Sequence, residues 1–173
     1  MFIIFTGNGK GKTTAALGQA LRAIGNGKRV LMVQFIKGPW RSGEDISSKK
    51  LSPDFRLVKM GKGFVGIMGD ALPREEHRSA ARRALGYITK EAKSGKWDMV
   101  ICDEINNAVR LNLISARDAL HVAGVTKRKG VHIIFTGRDA PESFLKRADL
   151  VSEMREVKHP FRKGVQGRGG LEY

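Results

Sequence analysis

A single cysteine, Cys102, leaves no possibility of an internal disulfide or a cysteine-cluster metal site. It sits inside an apolar run, where a small core residue is expected. The four histidines, His77, His121, His132 and His159, show no metal-ligand spacing, and no Ser-His-Asp arrangement or G-x-S-x-G pattern appears. Acyl transfer and acid–base chemistry therefore find no support. No apolar run approaches the roughly 20 residues that cross a bilayer. Met1 leads directly into a strand-like stretch without a signal-peptide pattern, so a cytoplasmic protein is expected. Aromatic residues make up only 7% of the chain and are not interleaved with the basic ones, which argues against a surface built to stack bases. Acidic residues are scarce relative to basic ones, 17 against 32, giving a net charge of +15. That excess would attract a polyanion, yet it is spread along the chain without a dense tract, so nucleic acid is not the expected main partner.

The 173 residues and 41% hydrophobic content suit one domain, 1–173, with a substantial core. Continuous apolar runs bounded by turn residues occur at 29–35, 56–60, 97–103 and 131–137, as expected of strands buried on both faces. Helical stretches separate them. After the first glycine loop, Leu17, Ala20, Leu21 and Ile24 recur at helical spacing and stop at Gly25-Asn26-Gly27. A second helix starts near Pro73, with Glu75 and Glu76 suited to the positive end of its dipole and Ala81, Ala84, Leu85 and Ile88 as its buried stripe. "SARDALHVAG" and a short "PESFLKRA" complete the set. Alternating strands and helices predict an α/β fold, a single P-loop (RecA-like) domain whose mainly parallel sheet carries helices on both faces and binds ligands at the strand C-terminal ends. Two long connections, 36–54 and 61–72, are of the length that usually serves function.

The stretch "FTGNGKGKTTAA", 5–16, follows an apolar run and opens a helix. Strand, glycine loop and Gly11-Lys12-Thr13 at a helix start form the layout of a P-loop, where backbone N–H groups and the helix N-terminus surround phosphate oxygens. A merely tight turn is the plainer alternative. Thr6 occupies the slot where the usual pattern has its first glycine, and Gly7 follows at once to supply the turn. Lys12 would neutralise phosphate charge and the Thr13 hydroxyl would sit on Mg²⁺. "MVICDEI", 99–105, ends an apolar strand with Asp103 and Glu104, candidate Mg²⁺ ligands beside Thr13, or else caps of the following helix. "FTGR", 135–138, ends another strand, so Arg138 is a candidate phosphate or ribose contact, the alternative being a surface ion pair with Asp139 or Glu142.

The segments "TGNGKGKTTAALGQALRAIG", "VQFIKG" followed by "GE", "GKGF", "DEI", "TGRDAP", "ADLVSEM" and "VKHPF…G…GLEY" occur in the order found in ATP:corrinoid adenosyltransferases of the CobA/CobO/BtuR type, which this sequence resembles from residue 3 onward. The resemblance implies transfer of the 5′-deoxyadenosyl group of ATP to the cobalt(I) of a corrinoid, cobalamin, cobinamide or cobyrinic acid diamide, with release of triphosphate. It implies that Gly7, Asn8, Gly9, Lys10, Gly11, Lys12, Thr13, Thr14 and Arg138 bind ATP, with Mg²⁺ or Mn²⁺ near Thr13, Asp103 and Glu104. Lys12, Phe64 and Arg138 are then the candidate catalytic residues. An external electron donor such as a flavoprotein and a homodimer are also implied. Family members displace the lower axial ligand of cobalt with aromatics in a loop reading Gly-Glu-Gly-Phe-x-Trp. Here it reads Gly61-Lys62-Gly63-Phe64-Val65-Gly66, so Phe64 matches, Lys62 replaces glutamate and Gly66 replaces tryptophan. Val65, Ile67 and Met68 are candidate substitutes, and on its own Phe64 could equally be a core aromatic. "VTKRKG", 125–130, replaces an Arg-Pro pair usual before the late strand. Two other readings stay open: a RecA-like ATPase acting on nucleic acid, and a degenerate family member that only carries ATP or corrinoid.

Overall fold

The computed structural model describes residues 1–38, 40–67 and 69–171, with the side chains of Phe161 and Lys163 left aside. Six strands, β1 (Phe2–Thr6), β2 (Val30–Gln34), β3 (Phe55–Lys59), β4 (Met99–Asp103), β5 (His132–Thr136) and β6 (Leu150–Glu153), form one sheet in the order β3-β2-β4-β5-β1-β6. Every adjacent pair is parallel. Between them run helices α1 (Lys12–Ile24), α2 (Gly43–Lys50), α3 (Arg74–Lys93), α4 (Ile105–Arg110), α5 (Ala116–Arg128) and α6 (Glu142–Leu145), with a 3-10 turn at Pro160–Lys163. The α/β class expected from the sequence is what the chain adopts.

β1, β2 and β4 are buried at every position because both faces of the sheet are covered. Phe2, Ile4, Leu31, Val33, Val100, Cys102, Ile133 and Phe135 face one core, shared with α3, α4, α5 and α6. Ile3, Phe5, Val30, Met32, Met99, Ile101 and Ile134 face the other, closed mainly by Ala16 and Ala20 of α1. Fully burying an aliphatic side chain is worth about 1.5–3 kcal/mol, so the two-sided alternation is the main source of sheet stability. Cys102 lies within this core, as its setting suggested.

The stripe expected on α3 is buried as read, and His77, Ala80 and Ala92 extend it. Pro73 takes the N-cap position with ψ 137°, one place before the first turn. Of the four apolar residues at helical spacing on α1, Ala20 is buried and Leu17 and Ile24 pack against the core, but Leu21 does not. Leu21 is 60% exposed, while Ala16 and Ala20 are buried. At 100° per residue Leu21 is turned well away from the Ala16–Ala20 line, and alanines there let α1 lie close to the sheet.

Two elements were not anticipated. The connection 36–54 contains α2, whose sequence GEDISSKK buries no residue. A capping box starts it: the Ser42 side chain accepts from the N3 backbone and the Asp45 carboxylate accepts from Ser42 N–H at 2.8 Å. The other is β6, an edge strand with largely exposed side chains. Connection 61–72 carries neither helix nor strand among its described residues.

Candidate active site

The C-terminal ends of the parallel strands form one rim. β1 ends at Thr6, Gly7 turns the chain at φ +94°, and α1 begins at Lys12. The loop between them lies on the backbone that follows β6. Gly9 N–H donates to the Met154 carbonyl at 2.7 Å, and Asn8 Oδ1 accepts from Glu156 N–H at 3.2 Å. A Cβ on Gly9 would stand 2.7 Å from the Arg155 carbonyl carbon, so only glycine permits this approach. Asn8, Lys10 and Thr14 are exposed, and Gly9 is buried. Lys12 Nζ folds back to donate to the Gly9 carbonyl at 2.6 Å. Burial, and then the Arg138 guanidinium, hold its ammonium below the ordinary lysine value, with Glu104, Asp139 and Asp103 opposing.

Asp103 lies at the centre of the rim, fully buried. Its Oδ1 accepts from Thr13 Oγ1 at 2.9 Å and from Thr136 Oγ1 at 2.7 Å, and its Oδ2 accepts from Gln34 Nε2 at 3.0 Å. The strand register explains this meeting, since Gln34 and Asp103 are direct partners across β2 and β4. Burial raises the Asp103 pKa against those three hydrogen bonds. Glu104 next to it has left-handed backbone at φ +61°, and its N–H donates to Thr136 Oγ1 at 2.9 Å. Burial first and the neighbouring Asp103 second push its carboxyl up to about 7, with Lys37, Lys12 and Arg138 opposing. The capping alternative fails for both acids. Glu104 occupies the N-cap position of α4 without a side-chain capping bond, and Asp103 is engaged by Thr13, Thr136 and Gln34.

Thr13, Asp103 and Glu104 offer hard oxygen donors only, and the described residues hold no group of three or more His, Cys, Asp and Glu that would form a closed metal cage. That donor set suits Mg²⁺, which takes one or two carboxylates and leaves other positions to phosphate oxygens and water. The raised carboxyl of Glu104 is what a half-buried acid beside Asp103 shows when Lys37, Lys12 and Arg138 offset its burial only in part.

Arg138 follows β5, with Gly137 before it at φ +130° packed against Asn107. Its backbone N–H donates to Asn107 Oδ1 at 2.7 Å and its side chain is exposed. The ion pairs considered for it go elsewhere: Asp139 pairs with Arg110 at 3.3 Å and Glu142 with Lys146 at 2.7 Å. At the other end of the rim the loops after β2 and β3 carry Trp40 and Phe64, whose ring centroids are 5.7 Å apart. Phe64 is 44% exposed and is not a core aromatic. Val65 packs against the core instead, Ile67 is exposed, and Met68 lies outside the described residues.

The ATP:corrinoid adenosyltransferase BtuR/CobO/CobP family matches residues 1–173. The chain belongs to this family. It is 37% identical over 173 residues to the corrinoid adenosyltransferase of Escherichia coli K12, spanning all of this chain and 85% of that one. It is likewise 37% identical over 174 residues to the corrinoid adenosyltransferase CobA of Salmonella typhimurium, spanning 100% and 85%, and 31% identical to that of Pseudomonas aeruginosa, spanning 100% and 83%. Among solved structures, the flagellar accessory protein FlaH of Methanocaldococcus jannaschii superposes with a TM-score of 0.55 at 17% identity, over 88% of this chain and 69% of that one. At that identity the likeness concerns the fold alone.

Within this family member, residues not anticipated from the sequence hold the acids in place. Gln34 and Thr136 bind Asp103, and Lys37 pairs with Glu44 while acting electrostatically on both acids. The one signal for Gln34 is that it is the sole amide in the apolar run "VLMVQF", which does not say what it meets. Gly66 stands at φ +69° with open space around its Cα and donates its N–H to Asp70 Oδ2 at 2.8 Å. A Cβ there would meet no collision, but any side chain, tryptophan included, would take an unfavourable backbone.

Proposed function

We propose that the whole chain, 1–173, is one nucleotide- and corrinoid-binding domain that transfers the 5′-deoxyadenosyl group of ATP to corrinoid cobalt(I). The observation that supports this most is the gathering of Lys12, Thr13, Asp103, Glu104 and Arg138 on one sheet rim that also exposes Phe64 and Trp40. In the reaction a Co–C5′ bond forms, the C5′–O bond breaks, and triphosphate leaves with that electron pair. Reduced cobalt is itself the nucleophile, so the site needs alignment and leaving-group stabilisation more than a protein base. The absence of a triad or histidine base from the sequence accords with that need.

The backbone N–H groups of 7–14 are assigned to the polyphosphate. Lys12 would exchange its Gly9 carbonyl for phosphate oxygens, a gain for a half-buried cation. Arg138, exposed on the same rim, supplies a second cation that meets negative charge growing on the departing triphosphate. Thr13, Asp103 and Glu104 would hold Mg²⁺ or Mn²⁺, which when bound neutralises phosphate charge. Phe64 is assigned to the corrin side of the site, where an apolar side chain displaces the lower axial ligand and eases reduction to cobalt(I). The same reading includes an external donor such as a flavoprotein, a homodimer, a cytoplasmic setting, and cob(I)yrinic acid a,c-diamide among the accepted corrinoids.

The test is incubation with ATP, Mg²⁺ and chemically reduced cobalamin or cobinamide. A light-sensitive adenosylated product and free triphosphate are expected. ADP and phosphate, with ATPase stimulated by single-stranded DNA or RNA in a salt-sensitive manner, would instead favour the nucleic-acid ATPase that the charge of +15 leaves open.

A further inference from the structure

Two large aromatic side chains stand in solvent on neighbouring loops: Trp40 at 60% exposure and Phe64 at 44%. Their centroids are 5.7 Å apart and their planes differ by 32°, a tilted pair with both rings accessible. Only Phe64 has a place in the site as assigned so far. Exposed aromatic surface of this kind, rimmed by polar groups, marks a contact surface.

Trp40 is held in position on three sides. A Cβ on Gly38 would lie 2.8 Å from its Cζ3 and a Cβ on Gly63 would lie 2.9 Å from its Cη2, so the indole occupies a slot that exists because both residues lack side chains. Lys59 Nζ donates to the Trp40 carbonyl at 2.6 Å and pairs with Asp45 at 2.5 Å, which ties the loop to β3 and α2. Gly63 N–H donates to the Ile36 carbonyl at 2.9 Å, so the two aromatic-bearing loops are laced together. An exposed ring fixed in advance loses little freedom when a ligand covers it.

The pair also has the right neighbours. Lys37, three residues before Trp40, acts on the charges of Asp103 and Glu104, so the Trp40 loop borders the acid cluster. β2, which leads into that loop, is three strands from the P-loop strand β1, about 14 Å at the usual strand spacing. The proposed attack needs the metal centre beyond the ribose carbon, away from the gripped triphosphate, and the loops after β2 and β3 are set off from the P-loop along the same sheet edge by about that strand separation.

We propose that Trp40 forms with Phe64 a preformed aromatic face on which the flat corrin ring rests, making Trp40 a substrate-positioning residue. This deepens the reading above and depends on it for the identity of the ring. It also supplies, from a different loop, the second aromatic that Gly66 cannot provide.

The test is calorimetric binding of cobinamide and, separately, of Mg-ATP to the full-length wild type, W40A and W40F, with thermal midpoints for all three. Loss of an aromatic contact face is expected to weaken cobinamide binding about tenfold in W40A. W40F should recover most of that loss, while ATP affinity and thermal midpoint hold. Unchanged cobinamide binding in W40A overturns the proposal, and so does a loss confined to ATP, which would give the aromatic face to the adenine. Cobinamide binding that depends on Trp40 in a protein forming no adenosylated product would uphold the aromatic face and refute the transfer reaction. A wild type that binds no cobinamide refutes both.

Discussion

Glu104 is the place where the proposed metal site and the stability of the fold conflict most measurably. Its carboxyl is raised from an ordinary 4.5 to about 7, first by burial and then by Asp103. Between those values the folded chain keeps the proton that the unfolded chain has lost, so stability falls as pH rises. The contribution is intact below pH 4.5 and gone above pH 7. At about 1.36 kcal/mol per pH unit the interval corresponds to about 3 kcal/mol, a large part of a domain's net stability. E104Q keeps the shape and the left-handed backbone cost but never ionises. Urea unfolding of metal- and nucleotide-free protein should therefore find E104Q more stable than wild type at pH 8 by up to about 3 kcal/mol, with the gap closing by pH 4.5. Equal pH slopes for the two proteins would refute the burial of this charge. The same variant is expected to lose adenosyl transfer, which an assay of adenosylated product will show.

Asp70 gathers Gly66 N–H, Leu72 N–H and the His77 ring, the last at 3.2 Å, and so shapes the loop that carries Phe64. D70N should raise the KM for corrinoid while the KM for ATP holds, and steady-state kinetics with each substrate varied will show it. G9A drives a methyl into Met154 and Arg155 backbone that cannot rotate aside, so it should cost about 1–3 kcal/mol and at least tenfold in ATP affinity, read by thermal midpoint and calorimetry. Burial, followed by Asp103, raises the Cys102 thiol pKa, so a thiol reagent should label it only in denaturant. L21K should change stability by no more than about 0.5 kcal/mol in urea unfolding, because Leu21 is on the solvent side of α1.

Much of this fold could be read because its inner strands are buried on both faces and bracketed by turns. The runs around Val30–Gln34 and Met99–Asp103 admit little else. β6 escaped because an edge strand of four residues, LVSE, is under no such constraint. α2 escaped because it has no apolar stripe and its local signal is only the Ser42–Asp45 capping box. Leu21 misled because helical spacing among four apolar residues does not say which of two overlapping stripes faces inward. In the candidate site the P-loop and the two acids were legible, being local in sequence. Gln34 and Thr136 were not, because their meeting with Asp103 depends on register among β2, β4 and β5. Trp40 was hidden likewise, its partner Phe64 lying on another loop.

β1 pairs with β5 and β6, and the loop that leaves it rests on Met154. The P-loop, made before the rest of the nucleotide site, thus waits for segments translated much later. Parallel pairings of such separation form slowly, and a nascent chain halted before β6 would have the glycines and Lys12 but no floor beneath them. Affinity for ATP then arrives only once β6 is in place, and the nucleotide, by favouring the folded form through mass action, stabilises chains that already contain that floor.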